Sequence, residues 1–232
     1  MSEFIILLLM FLFVGLLIIL LGYITFSYYD FLDRERRTHR VISKSDFPHV
    51  IDQRGFEGEE NTNRFMESIL RPEDYYLRNL IIPVNDYKKV EVDGILISRR
   101  GIFCIETKNW KGKLTGFEND DMWYQTKCGK AKQLKNPVLQ NEYHSSAVEK
   151  VLNFDYEIIN CVILYSTLDL RHIVSKHVFN LGSFETFYKS LKKQIISRRE
   201  LRLVCDKLSL YLASSEDIKI HRENAITKLL GT

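Results

Sequence analysis

Hydrophobic positions change their pattern along this chain, and each pattern predicts a different element. From Phe4 to Tyr29 there is no charged residue, and Phe4 to Leu21 is almost unbroken hydrocarbon. A helix without a polar face has nothing to present to water, and roughly 20 apolar residues carry it across a bilayer. Residues 1–29 are therefore expected to be a transmembrane anchor in contact with lipid. A cleaved leader would start with basic residues, have a shorter apolar core and end on small residues. Here the start is Met1-Ser2-Glu3, and the exit passes through Tyr23, Phe26, Tyr28 and Tyr29, which suit the headgroup level. No Lys or Arg precedes the run, whereas Arg34, Arg36, Arg37, Arg40 and Lys44 follow it. The positive-inside rule then predicts a single-pass protein, N-terminus outside and the rest cytoplasmic. The same basic cluster could also touch anionic headgroups.

Residues 30–54 are polar, lack a clear period, and read as a juxtamembrane linker. Gly58 to Leu70 then carries Phe65, Met66, Ile69 and Leu70 on one stripe, a short helix that stops before Arg71-Pro72. Period two takes over in Tyr75–Pro83, Val90–Ile97 and Gly101–Lys108, read as three strands. Lys113–Phe117 and Met122–Thr126 predict a second hairpin, followed by a loose basic stretch with Lys127, Lys130, Lys132 and Lys135. That stretch is either a phosphate contact or a solvated loop. Asn136 and Pro137 suit the cap and first turn of a helix running to about Asn153. Ile158–Tyr165 is apolar apart from Asn160, as in a covered strand. Phe184–Ser197, Glu200–Ala213 and Glu216–Leu230 are predicted helices. The order implies an α/β fold, a mixed central sheet flanked by helices. The expected divisions are a core at 55–167 and a C-terminal helical extension at 168–232.

Composition narrows the chemistry only a little. A net charge of +3 on 232 residues permits nucleic-acid binding without arguing for it. Cys104, Cys128, Cys161 and Cys205 are scattered, with no CxxC pair, so neither a zinc site nor a disulfide framework is expected. Walker, GxSxG and HExxH motifs are absent, as are internal repeats.

The chemistry concentrates in the second and third strands. Alternation puts Glu91, Asp93, Ile95 and Ile97 on one face of the second strand, opposite Val92, Gly94 and Leu96. On the third, Ile102, Cys104, Glu106 and Lys108 share a face. Asp93 and Glu106 can therefore converge across the hairpin. Two carboxylates and a main-chain carbonyl suit Mg²⁺, a hard cation that prefers oxygen. Lys108 would stand beside the attacking water, to orient it, to offset negative charge on phosphorus, or to act as base. The plain alternative is a Lys–Glu pair at a sheet rim beside a solvated aspartate. Glu59 lies seven residues before Met66, on the inward face of the first helix, where it either joins these acids or complements the helix dipole. Glu60 falls on the outward face with Arg64 and Glu67. Gln140 either hydrogen-bonds a phosphate or a metal-bound water or lies on a helix surface, and His144, at i+4 from it, is structural or solvent-facing. Trp110, Trp123 and Tyr124 either stack on bases or pack.

Gly58-Glu59 at a helix start, Val92-Asp93-Gly94-Ile95-Leu96-Ile97, and above all Gly101-Ile102-Phe103-Cys104-Ile105-Glu106-Thr107-Lys108-Asn109-Trp110-Lys111-Gly112 resemble the nuclease-related domain (NERD) family. The resemblance runs from about Gly55 to about Thr167. It implies a restriction-endonuclease-like core of the PD-(D/E)xK superfamily. It further implies Asp93 and Glu106 as metal ligands, Lys108 as the catalytic lysine, Glu59 as the helical acid, and Gln140 near the site. Val92 stands where the superfamily signature has proline. The implied activity is Mg²⁺-dependent (or Mn²⁺-dependent) hydrolysis of phosphodiester bonds in nucleic acid, DNA above all. The competing expectation is a nuclease fold that only binds nucleic acid or a protein partner at the membrane.

Overall fold

The computed structural model describes residues 13–16, 18–25, 27, 41–42, 53–153, 156–166, 169–192 and 196–230. The chain divides into two units, residues 1–40 and 41–232. In the first, residues 13–16 and 18–25 are helical, and Phe13, Leu16, Ile18, Ile19, Leu20 and Leu21 are exposed. Among the described residues no helix is long and apolar enough to cross a membrane. The first part of the expected anchor, Phe4 to Leu12, and most of the linker lie outside the described residues.

The second unit is built on a six-stranded sheet, in the order β1-β2-β3-β4-β8-β10. Strands β2 (Tyr75–Asn85), β3 (Lys88–Ser98) and β4 (Gly101–Lys108) form an antiparallel meander. The outer strands join in parallel: β1 (Val41–Ile42) on β2, β8 (Ile158–Leu164) on β4, and β10 (Val178–Phe179) on β8. The sheet is mixed, as the patterning predicts. Every residue of β4 except Lys108 is buried, because helices cover both faces.

On one face Met66 of α1 (Gln53–Ile69) and Phe184 and Tyr188 of α3 (Leu181–Ser190) pack with Tyr76, Leu96, Phe103 and Ile105. On the other, Ala147 and Val148 of α2 (Pro137–Leu152) pack with Ile95, Ile97, Ile102 and Cys104. Leu201, Val204 and Leu208 of α4 (Arg198–Ser209) complete that layer. After α4 the chain returns to the edge of β2, where Ala213 N–H donates to Asn79 O at 2.9 Å. It then enters α5 (Ser215–Leu230).

A smaller four-stranded sheet stands beside the first. Strands β5 (Lys113–Phe117), β6 (Met122–Lys127) and β7 (Lys130–Lys135) form a meander, with β9 (Ile173–Val174) parallel to β5. Leu114 and Trp123 bury against Val138, Val162 and Leu164, which ties the two sheets together. Trp123 is fully buried and its indole N–H donates to Phe117 O at 2.9 Å, so it packs and is not available to stack on bases.

Several expectations shift. The basic stretch after Thr126 is the turn into β7, an edge strand exposed on both faces and hence without alternation to read. Helix α1 begins at Gln53, inside the expected linker, and α3 ends at Ser190. Glu60 is not outward: it pairs with Arg78 of β2 at 2.6 Å, and Glu67 reaches the same guanidinium at 3.4 Å. In β3, Val90 and Val92 join the same apolar cluster as Ile95 and Ile97. Strict alternation therefore slips at Asp93–Gly94, across from Asn79, whose φ is +57°.

Candidate active site

The last residues of β4 leave the covered interior as the sheet ends. Gly94 pairs with Ile105, so Asp93 and Glu106 stand opposite each other one step beyond the last ladder pair. There the Asp93 carboxylate takes the place of a backbone acceptor: Thr107 N–H donates to its Oδ2 at 2.8 Å. Gly94 is required, because a Cβ there would lie 2.3 Å from the Tyr76 hydroxyl. That hydroxyl donates to Asn63 of α1 at 2.8 Å and docks the helix on the strand. Gly58 serves the same approach, since a Cβ on it would meet Asn109 Cβ at 2.7 Å. With Gly58 against Asn109, Glu59 is carried to the end of β4.

From the opposite face, α2 supplies Gln140 and His144. Its position is set by Asn136, whose side chain accepts from Val138 N–H and donates to Glu118 O at 2.8 Å and Asp120 O at 2.6 Å. Asn141, fully buried, donates to Cys104 O at 2.9 Å and to Asn160 Oδ1 at 2.8 Å. These bonds lock the register of α2 against β4 and β8.

The result is a cleft of 330 Å³ lined by Glu59, Glu91, Asp93, Glu106, Lys108, Gln140, His144 and His221, among others. Glu106 is its centre. It is 2% exposed, and its Oε1 receives Lys108 Nζ at 2.5 Å and Gln140 Nε2 at 2.9 Å. His144 Nδ1 lies 3.3 Å from Oε2, but off the line of a hydrogen bond, so among the described residues Oε2 is buried without a protein donor.

The electrostatics split the two acids. Burial pushes the Asp93 carboxyl well above its ordinary value, and the negative charges of Glu106 and Glu59 push the same way. Burial also works against the Glu106 charge, but Lys108 and His144 outweigh it and hold Glu106 below the usual range. Burial disfavours the Lys108 ammonium, yet Glu106 and Asp93 outweigh that and raise its pKa. Both carboxylates therefore favour the Lys108 ammonium.

Whether these residues fit a metal is tested by their own chemistry. The donors are oxygens, one carboxylate oxygen has no donor, and Asp93 stands among negative charges that Lys108 only partly offsets. That set suits a hard divalent cation that keeps several waters. Among the described residues no three His, Cys, Asp or Glu side chains gather at metal-binding distance. Asp93 and Glu106 are the two carboxylates that would hold such a cation.

Residues 54–166 match the family model for the nuclease-related domain. The matched segment is similar to the nuclease-related domain family. It begins in α1 and ends just past β8, so of the residues named in the cleft only His221 falls outside it. An uncharacterized protein of Bacillus anthracis is 28% identical over 165 residues, covering 69% of this chain and 74% of that protein. No solved structure matches significantly.

Within the matched segment the structure brings together all five residues singled out from the sequence: Glu59, Asp93, Glu106, Lys108 and Gln140. Sequence reasoning missed His144, which is 7% exposed and faces Glu106. Its i+4 spacing from Gln140 was the available signal. His221 carries no local signal, since it reaches the cleft only through the path of the chain after α4. Trp110 lies beside Lys108, with Nζ 5.9 Å from its ring centre, and Tyr124 is exposed.

Proposed function

We propose that this protein is a membrane-anchored, Mg²⁺-dependent nuclease that hydrolyses phosphodiester bonds of DNA. The observation that carries the reading is the convergence of Asp93, Glu106, Lys108 and Gln140 on one cleft. Asp93 and Glu106 would hold the cation. When bound, it supplies Lewis acidity to a phosphoryl oxygen and lowers the pKa of a water. Lys108 donates to the phosphoryl oxygens as negative charge builds on them, a service that needs the protonated form the cleft favours. Gln140 holds Glu106 Oε1 through its amide N–H, and His144 borders the Oε2 edge. Glu59, brought to the same cleft by α1, is placed to orient the incoming water.

Anchoring is supported by the exposed apolar side chains of Phe13, Leu16 and Ile18 to Leu21, because a helix that is apolar all round has no stable place in water. The cytoplasmic side follows from the basic flank after Asp30.

A second reading, a nuclease fold that binds nucleic acid without cutting it, is favoured by one observation: among the described residues no three His, Cys, Asp or Glu side chains gather at metal-binding distance. One assay separates the two. Supercoiled plasmid is incubated with the detergent-solubilised chain and Mg²⁺ or Mn²⁺. Nicking is expected, and Lys108→Ala is expected to slow it by about 10²-fold or more, as for loss of a transition-state donor. Cleavage unaffected by Lys108→Ala would sink the assignment of this cleft. Binding with no cleavage under either metal would favour the second reading.

A further inference from the structure

The lysines that follow the cleft are not distributed evenly over the small sheet. Cross-strand pairs in the β6–β7 hairpin are Trp123 with Leu134, Gln125 with Lys132, and Lys127 with Lys130. Directly paired residues share a face, so Lys127, Lys130 and Lys132 continue the face on which Trp123 is buried against the body of the domain. Lys135 lies on the other face. All three lysines are exposed, and none pairs with an acid among the described residues.

Lys127 and Lys130 face each other directly, an arrangement that costs stability because like charges meet across the ladder. Lysines on an edge strand guard against edge-to-edge pairing. That accounts for charge on β7. It does not account for Lys127 on the inner strand β6, nor for three lysines on one face. A polyanion laid along this face would relieve the repulsion.

The position fits. Gln125 Nε2 donates to Lys111 O at 2.7 Å, and a Cβ on Gly112 would lie 2.6 Å from Thr126 O. The Lys127–Lys130 turn therefore sits against Lys111–Gly112, the segment that leaves Lys108 and Trp110. We infer that the face carrying Lys127, Lys130 and Lys132 is the clamp that holds the phosphodiester backbone of a nucleic acid beside the cleft. The inference rests on the nucleic-acid reading of the cleft and extends it to a surface outside it.

The test is equilibrium binding of a short fluorescent DNA duplex to the full chain in detergent, in EDTA so that nothing is cut, across a salt series. A parallel series uses single-stranded RNA. The triple variant Lys127→Ala/Lys130→Ala/Lys132→Ala is expected to weaken binding at least tenfold. It should also lower the salt slope by about 2–3, since each phosphate that a lysine no longer neutralises on duplex DNA removes about 0.9. Lys135→Ala, on the same edge but the opposite face, is expected to change neither. The triple variant should also melt no lower than wild type, because a repulsive pair has been removed. Whichever polymer shows the weakening is the one held. A wild-type salt slope in the triple variant on both polymers, or an equal weakening in Lys135→Ala, overturns the clamp. Because binding is read in EDTA, absence of cleavage with lysine-dependent binding overturns only hydrolysis, and cleavage with unchanged binding overturns only the clamp.

Discussion

Glu106 shows how one buried carboxylate can be both stabilised and left unfinished. Lys108 and Gln140 satisfy Oε1, while Oε2 keeps no protein donor among the described residues. Asp93, opposite, receives one backbone N–H but is half-buried and crowded by the charges of Glu106 and Glu59. Its folded-state pKa is raised, so its contribution to stability is present below the unfolded pKa and is lost as pH rises through the folded value. Asp93→Asn keeps an oxygen for the Thr107 N–H and removes the charge. Metal-free, it is expected to melt about 2–4 °C above wild type at neutral pH, the shift for a gain of about 1 kcal/mol in a domain of this size. The two melting curves should converge below about pH 4, where the aspartate is neutral in both folded and unfolded wild type. Added Mg²⁺ should raise the melting point of wild type more than that of the variant. A variant less stable than wild type at neutral pH would remove the charge-cluster account.

At the scale of elements, the site is a consequence of how closely helices approach strand ends. Helix α1 comes within reach of β4 because Gly58 has no side chain to strike Asn109. In an ordinary exposed helix, Gly→Ala adds up to about 1 kcal/mol of stability. Here the sign should reverse. Gly58→Ala is expected to cost about 1–3 kcal/mol, as overpacking does, measured by urea denaturation. It should also reduce cleavage by displacing Glu59. A stabilised Gly58→Ala protein would mean that α1 is not held against β4. The same scale shows where the sequence was legible. Strands β2, β3 and β4 are rich in apolar residues because both faces of their sheet are covered. Strand β7 is Lys-Ala-Lys-Gln-Leu-Lys and buries almost nothing, so no periodic signal exists for it. The slip at Asp93–Gly94 was also unreadable, since it depends on the left-handed Asn79 of the neighbouring strand.

For the whole molecule, the proposal places a hydrolytic cleft on the cytoplasmic side of a bilayer, a geometry suited to nucleic acid arriving at the membrane. Two measurements check the arrangement. The full chain should remain with membranes through an alkaline carbonate wash, and removal of residues 1–29 should release it. Cys128 is the exposed cysteine, while Cys104, Cys161 and Cys205 are buried. A membrane-impermeant maleimide should therefore label Cys128 only after cells are opened. Labelling of intact cells would reverse the orientation.

The sequence by itself determined the order of the main helices and strands apart from β7 and the short β1, β9 and β10, the apolar N-terminal run, and the acid–acid–lysine set on one hairpin. Each of these is written in local periodicity and local charge. Only the tertiary structure decided that Gln140 and His144 share the environment of Glu106, that Trp123 is packing, and that Lys127, Lys130 and Lys132 form one face without Lys135. Those facts depend on register between strands and on helix docking. Both are set by contacts between residues far apart in the chain, which no local period records.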